Sequence, residues 1–230
     1  MAQGKKTLGR RSIVKSLSTA VGLGATISFS ASDAAAEEAG PEDVYLGQDT
    51  TISNPKYGNT ETETTGFQAE EISDCDADYN LDYDEAYAEV GNHSGAGSLT
   101  AQASLGYSIE IADDSGQQDA TITYYGDIFG TMNLEDASNY VRAKLIVKDQ
   151  NDDEEYDSNM YEKTDYVGTV DESLTESIVV PLEAGHYYNL EAEVLTEITV
   201  TEGGDYAISD IHNDGTGDGF MEWDKIEIDF

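Results

Sequence analysis

The chain has 230 residues, of which 48 are Asp or Glu and only 11 are Lys or Arg, so its formal net charge at pH 7 is −37. Such a surface disfavours nucleic acid and anionic membranes as partners and favours cations. Intrinsic disorder is the simplest explanation of so acidic a composition, but aromatic and β-branched residues recur regularly through most of the chain and indicate a folded core.

The first 36 residues have the features of an export signal, in the order that such signals require. Five of the 11 basic residues lie in the first 15 positions, an apolar run follows, and Ala34–Ala36 provide an A-x-A cleavage site. The apolar run is too short and too polar for a comfortable membrane span. A basic tail before a loose amphipathic helix is the competing interpretation, and it does not account for the order of these three features.

Arg10 and Arg11, followed by S-I-V-K, resemble the twin-arginine signal. The resemblance implies that the protein is exported as a folded chain and that cleavage leaves Glu37 as the first residue. We therefore expect the mature protein to be extracellular or at the cell surface. No second apolar run follows the signal, so we expect no membrane span in the mature chain.

The mature chain that this cleavage would leave is even more acidic. Residues 37–230 contain six Lys or Arg and 47 Asp or Glu, which corresponds to a net charge of −41. At this density like charges destabilise a compact fold at low ionic strength, whereas at molar salt the Debye length falls to about 3 Å. Together with the twin-arginine signal and the scarcity of lysine, this composition resembles that of exported haloarchaeal proteins.

Composition divides the mature chain into a linker and one domain. Residues 37–66 are rich in Thr, Glu and Gly and predict an acidic linker, with a short strand at V-Y-L-G left open, and residues 67–230 have the length of one domain. Cys75 has no internal disulfide partner, so it is either a small residue in an acidic loop or a site of pairing between chains. Asn92 begins an N-x-S sequon, for which a glycosylated surface loop and an unmodified turn are both open.

Alternation of apolar and polar residues becomes regular from residue 98. Leu99 to Ile111 alternate without interruption and predict one long half-buried strand, or two strands that meet at Gly106. Further strands are predicted in 120–130, 140–149, 176–185, 187–201, 206–209 and 225–230. Turns rich in Gly, Asp and Asn separate them, and helical periodicity is almost absent. The sequence therefore predicts an all-β fold, an antiparallel β-sandwich of jelly-roll type.

Two segments of the predicted sandwich resemble the jelly rolls of secreted carbohydrate-binding modules. One is VPLEAGHYYNLEAEV, a glycine turn followed by a strand that contains tyrosine, and the other is the closing GFMEWDKIEIDF. The resemblance implies a protein that binds polysaccharide. Because a fold does not determine a function, that activity has to be argued from a site.

Catalytic signatures are missing from the sequence. There is no G-x-S-x-G nucleophile motif, and the three histidines lack the spacing of a zinc site. Two carboxylates about 5–10 Å apart suffice for glycoside hydrolysis. In a chain with this many acidic residues, some pair has that separation by chance. We therefore expect no enzymatic activity and nominate no catalytic residue. A secreted hydrolase that acts on glycans is the alternative.

The best metal candidate is the loop HNDGTGDGFMEWD, residues 212–224, which begins like a calcium loop. Alternating oxygen-bearing side chains and a glycine that turns the chain define that pattern. Lys225 occupies the position where an EF-hand has glutamate, so only a calcium loop between two strands is compatible, and a solvated acidic turn remains the alternative. The predicted calcium ligands are Asp214, Thr216, Asp218, Glu222 and Asp224.

A second loop has a weaker form of the same pattern. Asp149, Asn151 and Asp153 alternate there, and a solvated hairpin tip is the favoured interpretation. His186, which follows a glycine turn, is interpreted as an ordinary turn residue.

Aromatic residues provide the candidate ligand contacts, because an aromatic ring offers an apolar face to a sugar. In a regular strand one ring of each doublet Tyr124-Tyr125 and Tyr187-Tyr188 faces inward and the other outward. Tyr125, Tyr187 and Trp223 are the predicted ligand-binding residues. The favoured function is a secreted or cell-surface module that holds polysaccharide, an envelope glycoprotein or further copies of itself.

Overall fold

The structure, a computed structural model, describes residues 27–29, 41–65, 74–92, 96–135, 137–200, 206–211 and 219–230, with the backbone alone at 27–29, 74, 92, 135 and 206–210. Within these ranges all regular secondary structure is β-strand. The described residues accordingly include no helix with the length and apolar character needed to cross a membrane.

The strands, in chain order, are β1 (Ile27–Phe29), β2 (Glu42–Val44), β3 (Thr50–Ile52), β4 (Tyr57–Thr65), β5 (Asp74–Asn80), β6 (Glu85–Asn92), β7 (Gly97–Ile111), β8 (Gln117–Glu135), β9 (Ser138–Asp149), β10 (Glu154–Thr164), β11 (Gly168–Glu183), β12 (Tyr187–Val200), β13 (Tyr206–Ile211) and β14 (Phe220–Asp229).

The strands form two sheets. Sheet A has the order β1-β4-β7-β12-β9-β10, with β2 beside the end of β7, and sheet B has the order β11-β8-β13-β6-β14-β3, with β5 beside β6 and an additional pairing of β8 with β14. Every pairing is antiparallel except that of β2 with β7. The predicted class, an all-β antiparallel β-sandwich, is confirmed.

One core lies between the sheets and follows the predicted alternation. β7 is a single strand that continues through Gly106, so the interpretation with two strands is wrong. Its neighbour β12 has the same alternation of buried and half-buried residues. Fully buried side chains from both sheets meet in this core, among them Leu99, Ile109, Leu145, Leu190, Ile122, Tyr124, Ile128, Val180, Trp223 and Ile226.

Residues 42–65, which the composition assigned to a linker, contribute three strands to the sandwich. β4 pairs with β7 from Tyr57 to Thr65, β2 pairs with β7, and β3 pairs with β14. In β4 the threonines at 60, 62 and 64 are half-buried and the glutamates between them are exposed. Threonine has high β propensity, and the many glutamates concealed this alternation in the sequence.

Candidate functional site

Several residues that the sequence nominates lie outside the described residues. These are Arg10 and Arg11 of the export signal and Asp214, Thr216 and Asp218 of the calcium loop. Asn92 is the last residue of β6, and its side chain is not described. Their predicted roles therefore stay predictions.

Trp223 does not offer a ring to a ligand, in contrast to the prediction. It is only 1% exposed and packs edge-to-face on Tyr124, with ring centroids 5.7 Å apart. A bulge between Trp223 and Lys225 inserts an extra residue, Asp224, into β14. The bulge shifts the alternation, so that Trp223 faces the core while Lys225 lies on the outer side, which counting along the sequence does not reveal.

Tyr125 lies on the outer face of sheet B, as its doublet predicted, but its ring already has a protein partner. The Lys225 ammonium lies 4.5 Å from the ring centroid and forms an ion pair of 2.6 Å with Glu227. This hydrogen bond from Lys225, with one from Tyr125, lowers the pKa of Glu227. Tyr125, Lys225 and Glu227 are thus partners of one another within the sheet.

Two predicted calcium ligands, Glu222 and Asp224, lie on the same sheet beside other acids. Glu222 is opposite Asp127 on β8 and Glu85 on β6. Burial raises the pKa of Glu222, and the neighbouring carboxylates, Asp224 first, add to the rise. This patch attracts cations, but among the described residues the one group of three ligand atoms within 4.8 Å of each other lies elsewhere.

That group consists of Asp149, Asp152 and His186 at one end of sheet A. The Asp149 carboxylate accepts hydrogen bonds from the backbone N–H groups of Asn151 and Asp152, at 2.8 and 3.3 Å, and pairs with Nδ1 of His186 at 2.8 Å. Burial alone would raise the pKa of Asp149, but these hydrogen bonds lower it. The group ties the β9–β10 hairpin to the β11–β12 turn.

The contact of His186 with this hairpin could not be predicted from the sequence, because it depends on the pairing of β12 with β9. The pairing aligns Tyr188 with Asp149. The next residue toward the turn, Tyr187, is 41% exposed, and its backbone N–H donates to Asn151 at 2.9 Å. Tyr187 thus lies outward at the end of sheet A, as predicted.

From Tyr187, the outward side chains of β12 continue as a hydrogen-bonded polar row. Ser108 of β7 donates to Asn189 at 2.8 Å, and Tyr57 of β4 donates to Oε1 of Glu191 at 2.9 Å. We call these side chains, with Glu193, the polar face of sheet A: Tyr57, Ser108, Tyr187, Asn189, Glu191 and Glu193. It is the side of sheet A turned away from sheet B.

Glu193 is held on both sides by neighbouring strands. Gln102 of β7 donates to its Oε2 at 2.9 Å, and Arg142 of β9 donates to its Oε1 at 3.3 Å. Burial raises the pKa of Glu193, while Arg142 opposes the rise. Arg142 therefore compensates the burial of Glu193 only in part, and the pKa of Glu193 stays raised.

Glu191 has a different environment two residues earlier on the same strand. Its hydrogen bond comes from the neutral phenol of Tyr57, and in the described part of the chain it forms no ion pair. Burial raises the pKa of Glu191 and outweighs this hydrogen bond, and nearby Glu193 adds to the rise. A desolvated carboxylate with a specific partner is a feature of functional sites.

Gly106 explains how Tyr57 reaches across the strand between them. Tyr57, Gly106 and Glu191 lie side by side on β4, β7 and β12. A Cβ atom at Gly106 would lie 2.3 Å from Cζ of Tyr57, so the ring occupies the space of the missing side chain. The neighbouring Ile146 on β9 closes the same row on its other side.

Comparison of the chain with protein-family models, with curated proteins and with solved structures finds no match. The site is therefore interpreted from its own geometry. The polar face presents acceptors, donors and the half-buried ring of Tyr57 on a rigid sheet, which suits a ligand with many hydrogen-bonding groups. The E-A-E pattern was visible in the sequence, but only strand order connects it with Tyr57.

Proposed function

We propose that this chain is an exported binding module of a halophile, which acts outside the cell or at its surface and holds polysaccharide, or a glycosylated envelope component, on the polar face of sheet A. The β-sandwich provides a rigid support, and sites built on strands hold their side chains more precisely than sites on loops. The export signal and the acidic composition support the location and the halophilic setting.

The observation that carries this proposal is the environment of Glu191. Burying a carboxylate without a cation is unfavourable, and such a cost persists in proteins where the group has a function. Glu191 is half-buried, is oriented by Tyr57 and lies in one row with the exposed ring of Tyr187. An aromatic ring beside aligned hydrogen-bonding groups matches the alternating apolar and hydroxylated surfaces of a sugar chain.

A hydrolase that acts on glycans is the second candidate, and one observation favours it. Glu191 and Glu193 are two residues apart on one strand, about 7 Å along it, and burial raises the pKa of both. That spacing is compatible with a pair of catalytic carboxyl groups. Against this role, both oxygens of Glu193 are held by Gln102 and Arg142.

The experiment is a glycan array with residues 37–230 in molar NaCl, with and without calcium, followed by an assay for new reducing ends on any glycan retained. Glu191→Gln and Tyr187→Ala should lose binding, and Glu172→Gln on the exposed surface of β11 should retain it. Loss in Tyr125→Ala alone would move the ligand to sheet B. Release of reducing ends, abolished in Glu191→Gln, would establish the hydrolase.

Calcium at the 212–224 loop is part of the same proposal, with Asp214, Thr216 and Asp218 as ligands and Glu222 or Asp224 completing the site. Calcium requires six to eight oxygens, and we propose the carboxylates beside Glu222 as further ligands. At constant molar NaCl, millimolar calcium should raise the melting temperature of the wild type. It should have no such effect on Asp214→Asn with Asp218→Asn, and equal shifts would show that the loop is an ordinary acidic turn.

A further inference from the structure

We infer that the ligand of the polar face carries an ammonium group, as in a polysaccharide that contains amino sugars, with Glu191 as its counter-ion and the ring of Tyr57 beside it. This inference rests on the proposed function, because it names the chemistry of the ligand for the same face.

The basic residues nearest to Glu191 already form ion pairs with other acidic residues. The basic residues of β9 that face the same side of sheet A have other partners: Arg142 pairs with Glu193 at 3.3 Å, Lys144 with Asp157, and Lys148 with Asp153 at 3.0 Å. Glu191 accepts its hydrogen bond from a neutral donor, and of these basic residues Lys148 acts on it only as a nearby charge, which lowers its pKa less than burial raises it. A positive group from the ligand would therefore complete an ion pair that the protein itself does not make.

The shape of the surroundings of Glu191 is a second feature. Gly106 contributes no side chain between β4 and β12, so the ring of Tyr57 lies over β7 and reaches the carboxylate from that side. A carboxylate next to an aromatic ring is the combination that binds ammonium ions, through an ion pair and a cation–π contact. Tyr57 also fixes Oε1 of Glu191 through its hydroxyl group.

A negatively charged sugar is disfavoured at the same place on the polar face. An anionic sugar would approach Glu191 and Glu193 together. Glu61 of β4, which pairs with Gln102 of β7 just beyond Glu193, adds a further negative charge. At molar salt the Debye length is about 3 Å, so distant charges are screened while a contact ion pair persists. The preference for a cationic ligand thus survives under the conditions in which the protein is proposed to act.

The test is calorimetric binding at pH 6.5 in 2 M NaCl, with two probes of equal length: oligomers of glucosamine and of N-acetylglucosamine. The wild type should bind the amine at least about tenfold more tightly, as expected for a hydrogen bond to a charged group. Glu191→Gln should remove the difference, and Tyr57→Ala should reduce it. Glu172→Gln is the matched control and should retain the full difference. Near-ultraviolet circular dichroism verifies that each variant is folded.

The outcomes separate this inference from the proposed function. Binding of the acetylated oligomer as tightly as the amine, with sensitivity to Glu191→Gln, would overturn the ammonium inference and leave a neutral glycan as the ligand. Binding of the amine that is unchanged in both Glu191→Gln and Tyr57→Ala would overturn the assignment to this face. If neither probe nor any arrayed glycan binds, both proposals fail.

Discussion

Glu191 and Glu193 occupy alternate positions on one side of β12, and their neighbours give them different electrostatic environments. Arg142 and Gln102 contact Glu193. Glu191, in contrast, has only the Tyr57 phenol as its hydrogen-bond donor and is no member of an ion pair among the described residues, although Lys148 lies near enough to lower its pKa slightly. A buried charge without a partner destabilises a fold, and breaking a buried pair by removing one member also destabilises it. The two residues should therefore respond in opposite ways to the same substitution.

Glu191→Gln should raise the free energy of unfolding at pH 7.5 by about 1 kcal/mol, because it removes an uncompensated charge and keeps the side-chain shape. Glu193→Gln should lower it by about 1 kcal/mol, because Arg142 loses its anionic partner. The raised pKa of Glu191 means that its favourable contribution is full below its unfolded pKa of about 4.5 and is lost as pH rises through the folded value.

The gain from Glu191→Gln should therefore shrink at pH 4. Denaturant titrations at pH 4 and 7.5 in molar NaCl measure these differences. Equal losses in both variants would show that the two glutamates have equivalent environments.

His186 and Asp149 should give the protein a separate pH dependence. The hydrogen bond to Asp149 raises the pKa of His186 above 6.5, so this stabilisation is present below pH 6.5 and is lost as pH rises through the folded value. The pKa of Asp149 is lowered from 3.8, so its contribution is present above pH 3.8 and is lost as pH falls through the folded value.

The pair should thus contribute most between about pH 4 and 6.5, where both partners are charged. Melting temperatures of the wild type and His186→Gln, measured from pH 5 to 8 with a chelator present, should converge as pH rises. A constant difference over this range would mean that the pair is not titrating.

Alternation along the sequence predicted side-chain direction well where strands are regular. Tyr124 and Tyr188 are buried while Tyr125 and Tyr187 lie outward, as each doublet required. The prediction for Trp223 was wrong because a bulge in β14 reverses the side-chain alternation next to it. The bulge arises from the pairing of β14 with β8, and the apolar periodicity of the sequence does not reveal it. Glu191 was not singled out because its environment is formed by residues distant in sequence, above all Tyr57.

The composition of the segment that forms β4 predicted a linker, whereas the alternation of its residues is that of a strand. Its threonines and glutamates read as a polar linker, although they alternate with the period of a strand. Its place at β7 follows from the long register between the two strands and from Tyr57 lying over Gly106. Strands from residue 97 onward were predictable because apolar residues mark their buried side.

Strands β8 and β14 approach each other closely at Gly126. A Cβ atom at Gly126 would lie 2.1 Å from the backbone oxygen of Glu222, which cannot move without disturbing the sheet. At Gly106 the clash is with the end of the Tyr57 side chain, which can rotate away. Gly126→Ala should therefore lower the free energy of unfolding by about 3 kcal/mol, and Gly106→Ala by clearly less.

Thermal and denaturant unfolding of both variants in molar NaCl test this order. Gly106→Ala should also weaken glycan binding, because displacing Tyr57 removes its hydrogen bond to Glu191. Wild-type stability of Gly126→Ala would contradict the close approach of β14 to β8.

Basic residues are concentrated on one strand of the sandwich, β9, between the acidic strands β10 and β12. Three of the six basic residues in 37–230 lie on the outer side of β9, at 142, 144 and 148. Each of them lies opposite one acidic residue of β10 or β12, and each forms an ion pair. These pairs compensate only a small part of the net charge of −41 that residues 37–230 carry.

The melting temperature of residues 37–230 should therefore rise steeply between 0.1 M and molar NaCl, where the Debye length falls from about 10 Å to about 3 Å. Salt also strengthens apolar burial, so charge must be varied independently of salt. Asp119, Asp171 and Glu172 are exposed and lie on β8 and β11 of sheet B, whereas the polar face belongs to sheet A. Their combined replacement by the corresponding amides should raise the melting temperature at 0.1 M NaCl, change it little at molar NaCl, and make the salt dependence shallower. An unchanged slope in this variant would mean that salt acts through apolar burial and that the acidic surface is not what limits stability.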